Sequence, residues 1–134
     1  MVHHATILFA LTIGVAAAFV RVDLSAKPVP QMVDDFGRQL LFHGVNVVYK
    51  IPPFYPSRDS FDPDNSLCTE DIIFLRNNGF NVVRLFVSWA AVEIMPGIYN
   101  TTYLAVIRSI VNELAQYNVS TILDCHQVGQ FLLV

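Results

Sequence analysis

Three short apolar runs set the order of the chain. His43–Tyr49, Asn81–Val87 and Ser120–Cys125 are each mostly apolar and rich in β-branched residues. Such runs read as strands buried on both faces, the pattern of a parallel sheet covered by helices. Between the first two, residues 51–66 carry Pro52, Pro53, Pro56 and Pro63 with Asp59, Asp62 and Asp64, which excludes regular structure there. Thr69–Asn78 then reads as a short helix capped by Thr69 or Ser66. Glu70 and Asp71 favour the positive end of its dipole, Ile72, Ile73 and Leu75 form its apolar face, and Gly79 stops it. Residues 90–99 read as a loop turning at Pro96-Gly97. The clearest helix is Thr101–Tyr117, where Leu104, Ile107, Val111 and Leu114 recur at helical spacing while Arg108, Asn112 and Gln116 suit solvent. Asn118 ends it.

Ahead of this repeat, Gln31–Val33 and Arg38–Phe42 read as two short strands around an Asp34-Asp35-Phe36-Gly37 turn. Residues 19–30 show no periodicity and read as a linker. From Ala5 to Val20 the chain is almost wholly apolar, a run too short for a typical membrane span of roughly 20 residues. It fits a secretory signal peptide over residues 1–18, with Ala16-Ala17-Ala18 as a small-residue cleavage site. His3 and His4 stand where Lys or Arg is usual, so an uncleaved anchor and a core helix remain as alternatives.

Composition narrows the partners. A formal net charge of −3 gives no electrostatic footprint for nucleic acid. Asn100-Thr101-Thr102 and Asn118-Val119-Ser120 match the glycosylation sequon and agree with export. The two cysteines, Cys68 and Cys125, are too few for a disulfide framework, and Cys125, in an apolar run, reads as a buried thiol. No Cys/His spacing suggests a metal site, and no cofactor is expected.

Strand–loop–helix, strand–loop–helix, strand places the polar residues Asn46, Lys50, Arg84, Trp89, Asp124 and His126 toward the carboxyl ends of the strands. In a β/α barrel or an open doubly wound sheet that edge carries the site. No glycine-rich phosphate loop follows the first strand, so the barrel is preferred. Arg84 sits in the middle of an apolar strand and requires a partner, because a buried unpaired guanidinium is costly. That partner is expected to be a carboxylate, in a cleft or in a structural ion pair. Trp89 is placed to stack on a sugar or to pack under the following loop. Phe54, Tyr55 and Phe61 have the same two readings, as a binding rim or as packing for their own loop.

Four segments carry a family resemblance: Phe42–Lys50, Gly79–Trp89, Val92–Tyr99 with its Glu93 and Pro96-Gly97, and Thr121–Gln127. In their order and spacing they resemble the endoglycoceramidases of glycoside hydrolase family 5. The resemblance implies an α/β fold, here a partial (β/α)8 TIM barrel of about three strands and two helices, preceded by the signal peptide and a short β-hairpin. It implies a retaining hydrolase that cleaves oligosaccharide from ceramide, secreted or lysosomal. Its partner is a glycosphingolipid or oligosaccharide, with peripheral membrane contact through the lipid. Arg84 resembles the family arginine beneath the cleft that pairs with the nucleophilic carboxylate, and His126 the histidine lining the subsite beside the cleaved bond. Lys50, Asn46 and Trp89 resemble substrate-contacting positions.

The sequence departs from the pattern after Gln127. Retaining glycosidases use two carboxylates about 5–5.5 Å apart, and in this family they stand at the ends of the fourth and seventh strands. Glu70, Glu93 and Glu113 match neither place, so no catalytic residue is assigned and the chain alone is expected to be inactive. The expected division is a signal peptide at 1–18, a linker at 19–30, the amino-terminal part of a barrel at 31–127 and a divergent tail at 128–134. Valine codons begin with GT, the dinucleotide that opens most introns, so the break at Val128 reads as a splicing or gene-model truncation. A barrel of this type needs about 250 residues; three strands and two helices are expected to leave apolar faces uncovered and to fold poorly alone. The rival functions are a family 5 β-glucanase and a non-catalytic truncated product.

Overall fold

The computed structural model describes residues 20–25 and 28–125. The signal-peptide reading of 1–18, His126 and the tail at 128–134 lie outside the described residues.

A parallel three-stranded sheet forms the centre: β3 (Gly44–Val47), β4 (Val82–Phe86) and β7 (Ser120–Asp124), in the order β3-β4-β7. Two helices make the crossovers, α1 (Thr69–Asn77) and α3 (Thr101–Gln116). Successive strand residues point to opposite faces. Val83 and Leu85 meet Ile72, Leu75, Ile107, Ile110 and Leu114 in the buried core, with Val45 and Val47 packed against it. The opposite face carries Asn46, Arg84 and Ile122 side by side in register. This is the first part of a β/α barrel, with helices outside and the polar side chains on the inner face.

Burial on both faces holds for β4 alone. Val48, Ile122 and Leu123 are exposed, because β3 and β7 are the edges of the described sheet. Cys125 is exposed at the end of the edge strand rather than buried, whereas Cys68 is buried, and both are free thiols. Gly44 marks a close approach of two backbones. A Cβ there would lie 2.0 Å from the Val82 carbonyl oxygen, so only glycine fits β3 against β4.

The helix ends follow from local chemistry. Cys68, not Thr69 or Ser66, is the N-cap of α1. Its N–H donates to Asp71 Oδ2 (2.8 Å), which also accepts from the Ser66 hydroxyl (2.6 Å), while the Thr69 hydroxyl donates to Glu113. At the far end Gly79 takes φ +82°, Phe80 N–H reaches Leu75 O and Gly79 N–H reaches Arg76 O. Asn118, at φ +56°, ends α3 the same way, with Val119 N–H on Leu114 O. Both are Schellman closures, satisfying carbonyls that the last turn leaves open. The buried stripe of α3 is Tyr103, Ile107, Ile110 and Leu114; Leu104 is exposed and Val111 half-buried. Ile107 and Leu114 belong to both stripes, and packing on the sheet selects Tyr103 and Ile110 in place of Leu104 and Val111.

Two further segments differ from the expectation. The stretch 19–30 contains β1 (Arg21–Asp23), antiparallel to β2 (Gln31–Val33). Arg21 secures it by donating to the Asp34 and Asp35 carbonyls (3.2 and 3.1 Å). The expected strand at Arg38–Phe42 is reduced to a single bridge, Val33–Gln39. Residues 90–99 are not an open loop: α2 (Trp89–Val92) leads into a ribbon of β5 (Glu93–Met95) and β6 (Ile98–Tyr99). Gly97, at φ +77°, turns the ribbon, and its N–H donates to Glu93 Oε1 at 2.7 Å.

Candidate functional site at the carboxyl edge of the sheet

Arg84 is the centre of the inner face. Its Nη2 lies 2.7 Å from Asp124 Oδ2, and Nη1 donates to Asn46 Oδ1 at 3.5 Å. The register explains the contact: Arg84 stands opposite Ile122, so Asp124 is two residues farther along the neighbouring strand on the same face. The pair is only partly buried, with side-chain exposures of 40% and 22%. The expected carboxylate partner is therefore supplied within these residues by Asp124, rather than solely by a group beyond them. Gly44, Asn46, Val82, Arg84 and Ile122 line a shallow cavity of about 190 Å³ on this face.

The structure brings Asn46, Arg84 and Asp124 together on the inner face. Lys50 is exposed just beyond β3, and Trp89, half exposed, begins α2 just beyond β4. Phe54 and Tyr55 pack against the core, as loop-packing residues do, whereas Phe61 is exposed. Asp124 was recognisable in the sequence as a carboxylate at a strand's end, but its pairing depends on strand register.

A second set of contacts fixes the loops at this edge. Tyr103 is buried, and its hydroxyl accepts from Ser88 N–H (3.1 Å) and donates to Phe54 O (3.2 Å). Burial raises the phenol above its ordinary pKa, although the Ser88 N–H acts in the opposite direction. The group is thus protonated and a donor at neutral pH. On the outer side, Arg58 joins the 51–66 loop to α3 through its ion pair with Glu113. Glu113 Oε1 also accepts from Thr69 at 2.6 Å. Glu93 and Glu113 are thus engaged in turn and loop structure, and Glu70 lies in the first turn of α1.

The sequon residues occupy different settings. Asn100 caps α3, its Oδ1 accepting from Tyr103 N–H at 3.0 Å, whereas Asn118 is exposed at the other end of that helix. Among the described residues, no group of three or more His, Cys, Asp or Glu side chains is placed to hold a metal ion.

A parallel strand–helix repeat with its helices on one face and an arginine–carboxylate pair on the other is a segment of a β/α barrel. Residues 56–132 match the cellulase profile of glycosyl hydrolase family 5, and the chain belongs to that family. It is 40% identical over 105 residues to an endoglycoceramidase of Cyanea nozakii, covering 78% of this chain and 21% of that protein. Among solved structures, an endogalactoceramidase is similar at 33% identity and a TM-score of 0.57, over 73% of this chain and 21% of that one. Endo-glycoceramidase II from Rhodococcus sp., in a complex with ganglioside GM3, matches at 30% identity and a TM-score of 0.56 over the same shares. The chain spans about a fifth of the length of these relatives.

Proposed function

We propose that this chain is the amino-terminal part of a retaining endoglycoceramidase, hydrolysing the β-glycosidic bond between an oligosaccharide and ceramide. The observation that carries the reading is the 40% identity with the Cyanea nozakii endoglycoceramidase. The chemistry of the inner face agrees with it. A retaining glycosidase requires one carboxylate held ionised as nucleophile and a second as acid and base. Arg84 supplies the positive charge that keeps a nearby carboxylate ionised, and Asp124 and Asn46 hold its guanidinium in place. His126, Lys50 and Trp89 are assigned to the sugar-binding surface around it. The enzyme is secreted or lysosomal, is glycosylated at Asn100 and Asn118, touches the membrane through its lipid substrate, and works without metal or cofactor.

Two other readings have observations in their favour. The matching profile is that of cellulases, which favours a β-glucanase. Glu70, Glu93 and Glu113 lie on α1, β5 and α3 rather than on the parallel sheet, which favours a non-catalytic product for residues 1–134 alone. Incubating the longest product of the gene with a glycosphingolipid and with a soluble β-glucan separates them. Release of intact oligosaccharide from the lipid supports the first reading. Cleavage of glucan alone supports the second, and turnover by residues 1–134 alone refutes the third.

A further inference from the structure

Two segments leave the carboxyl edge of the sheet, one after β3 carrying Lys50 and Phe54 and one after β4 carrying Ser88 and leading into Trp89 at the start of α2. They belong to different strand–helix units and are bridged by one hydroxyl. Tyr103 accepts from Ser88 N–H at 3.1 Å and donates to Phe54 O at 3.2 Å, using one lone pair and its only proton. Ser88 is 4% exposed, so its N–H depends on a protein acceptor. Phe54 has φ +67°, a left-handed conformation that a bulky residue keeps only when its surroundings impose it. Its surroundings are the hydrogen bond from Tyr103 on its carbonyl, its own N–H donating to Ile51 O at 2.7 Å, and the packing of its ring on the core. Tyr103 is itself fixed, because it lies on α3 and its own N–H is capped by Asn100.

We propose that Tyr103 is a positioning residue that locks the Lys50–Tyr55 loop to the start of α2, so that Lys50 and Trp89 present one preformed surface to the sugar. The proposal rests on the glycosidase reading above. Tyr103 does not touch substrate; it acts through the backbone of Phe54 and Ser88. Its loss therefore weakens sugar binding and spares bond cleavage. Losing a preformed surface reduces affinity by the cost of ordering both loops on binding.

The test uses the full-length enzyme with Tyr103→Phe, which keeps the ring beside Tyr55 (centroids 6.2 Å apart) and removes only the hydroxyl. Ile110→Val, in the core of the same helix, serves as a stability control. Tyr103→Phe should raise KM for the glycolipid about three- to tenfold, the range expected for one or two net hydrogen bonds, with kcat nearly unchanged. It should also speed native-state chymotrypsin cleavage after Phe54 and Trp89, while Ile110→Val changes neither. An unchanged KM and cleavage rate overturns the proposal, as does Ile110→Val reproducing both effects. Cleavage is read without any substrate. Faster cleavage in Tyr103→Phe with a wild-type enzyme inactive on every glycoside would therefore support the strut and sink the glycosidase reading.

Discussion

Arg84 and Asp124 form an ion pair across two adjacent parallel strands, with Nη2 and Oδ2 2.7 Å apart. The contact joins the second strand of the barrel to the third on its inner face, and Asn46 extends it to the first. Because the Arg84 side chain is 40% exposed, solvent screens much of the attraction. A double-mutant cycle with Arg84→Gln and Asp124→Asn in the full-length enzyme should give a coupling of about 1 kcal/mol in urea unfolding. A coupling near zero would show that the pair orients Arg84 without stabilising the sheet.

Gly44 gives a sharper stability prediction. A methyl group at this position meets a backbone oxygen at 2.0 Å, and backbone cannot rotate away as a side chain does. Gly44→Ala should cost about 1–3 kcal/mol, the usual range for overpacking, because β3 must move from β4. Denaturant unfolding with wild-type stability would contradict the close approach.

Acid sensitivity should come in part from the turn at Asp34. Burial raises the pKa of this carboxyl, but Arg38 N–H, the Arg38 guanidinium and Phe36 N–H outweigh it, and the net shift is downward. A folded-state pKa below the unfolded value of about 3.9 stabilises the fold above that pH and is lost as pH falls through the folded value. Asp62 is also lowered, by Asp64 N–H and Asn65, and acts in the same window. Asp34→Asn should flatten part of the fall in melting temperature below about pH 4. An unaltered acid slope would remove Asp34 from the explanation.

Glu113 separates structure from chemistry. It receives Arg58 from the 51–66 loop and Thr69 from α1 while lying on the outer helix α3. Glu113→Gln should accelerate proteolysis within residues 51–66 and leave kcat near wild type, whereas Arg84→Gln should reduce kcat by at least about tenfold. A comparable loss of kcat in both variants would place Glu113 in the reaction.

The parallel sheet was legible because β-branched apolar runs, helices and glycine stops agree in period. The buried stripe of α3 was less so: Leu104 and Tyr103 are adjacent and both largely apolar, and the Tyr103 hydroxyl finds its partners only in the folded chain. β1 and α2 were missed because three- and four-residue elements have no measurable period, and hydrogen bonds from other segments hold them. At the site, the sequence indicated that Arg84 needed a carboxylate. It did not identify Asp124, because that choice rests on the register of β4 against β7.

The most direct measurement is product analysis after the longest gene product is incubated with a ceramide-linked oligosaccharide, followed by mass spectrometry and by NMR of the newly formed anomeric centre. The prediction is intact oligosaccharide plus ceramide, with the anomeric configuration retained. Stepwise release of single sugars, inversion at the anomeric carbon, or cleavage of β-glucan with the glycolipid untouched would contradict it.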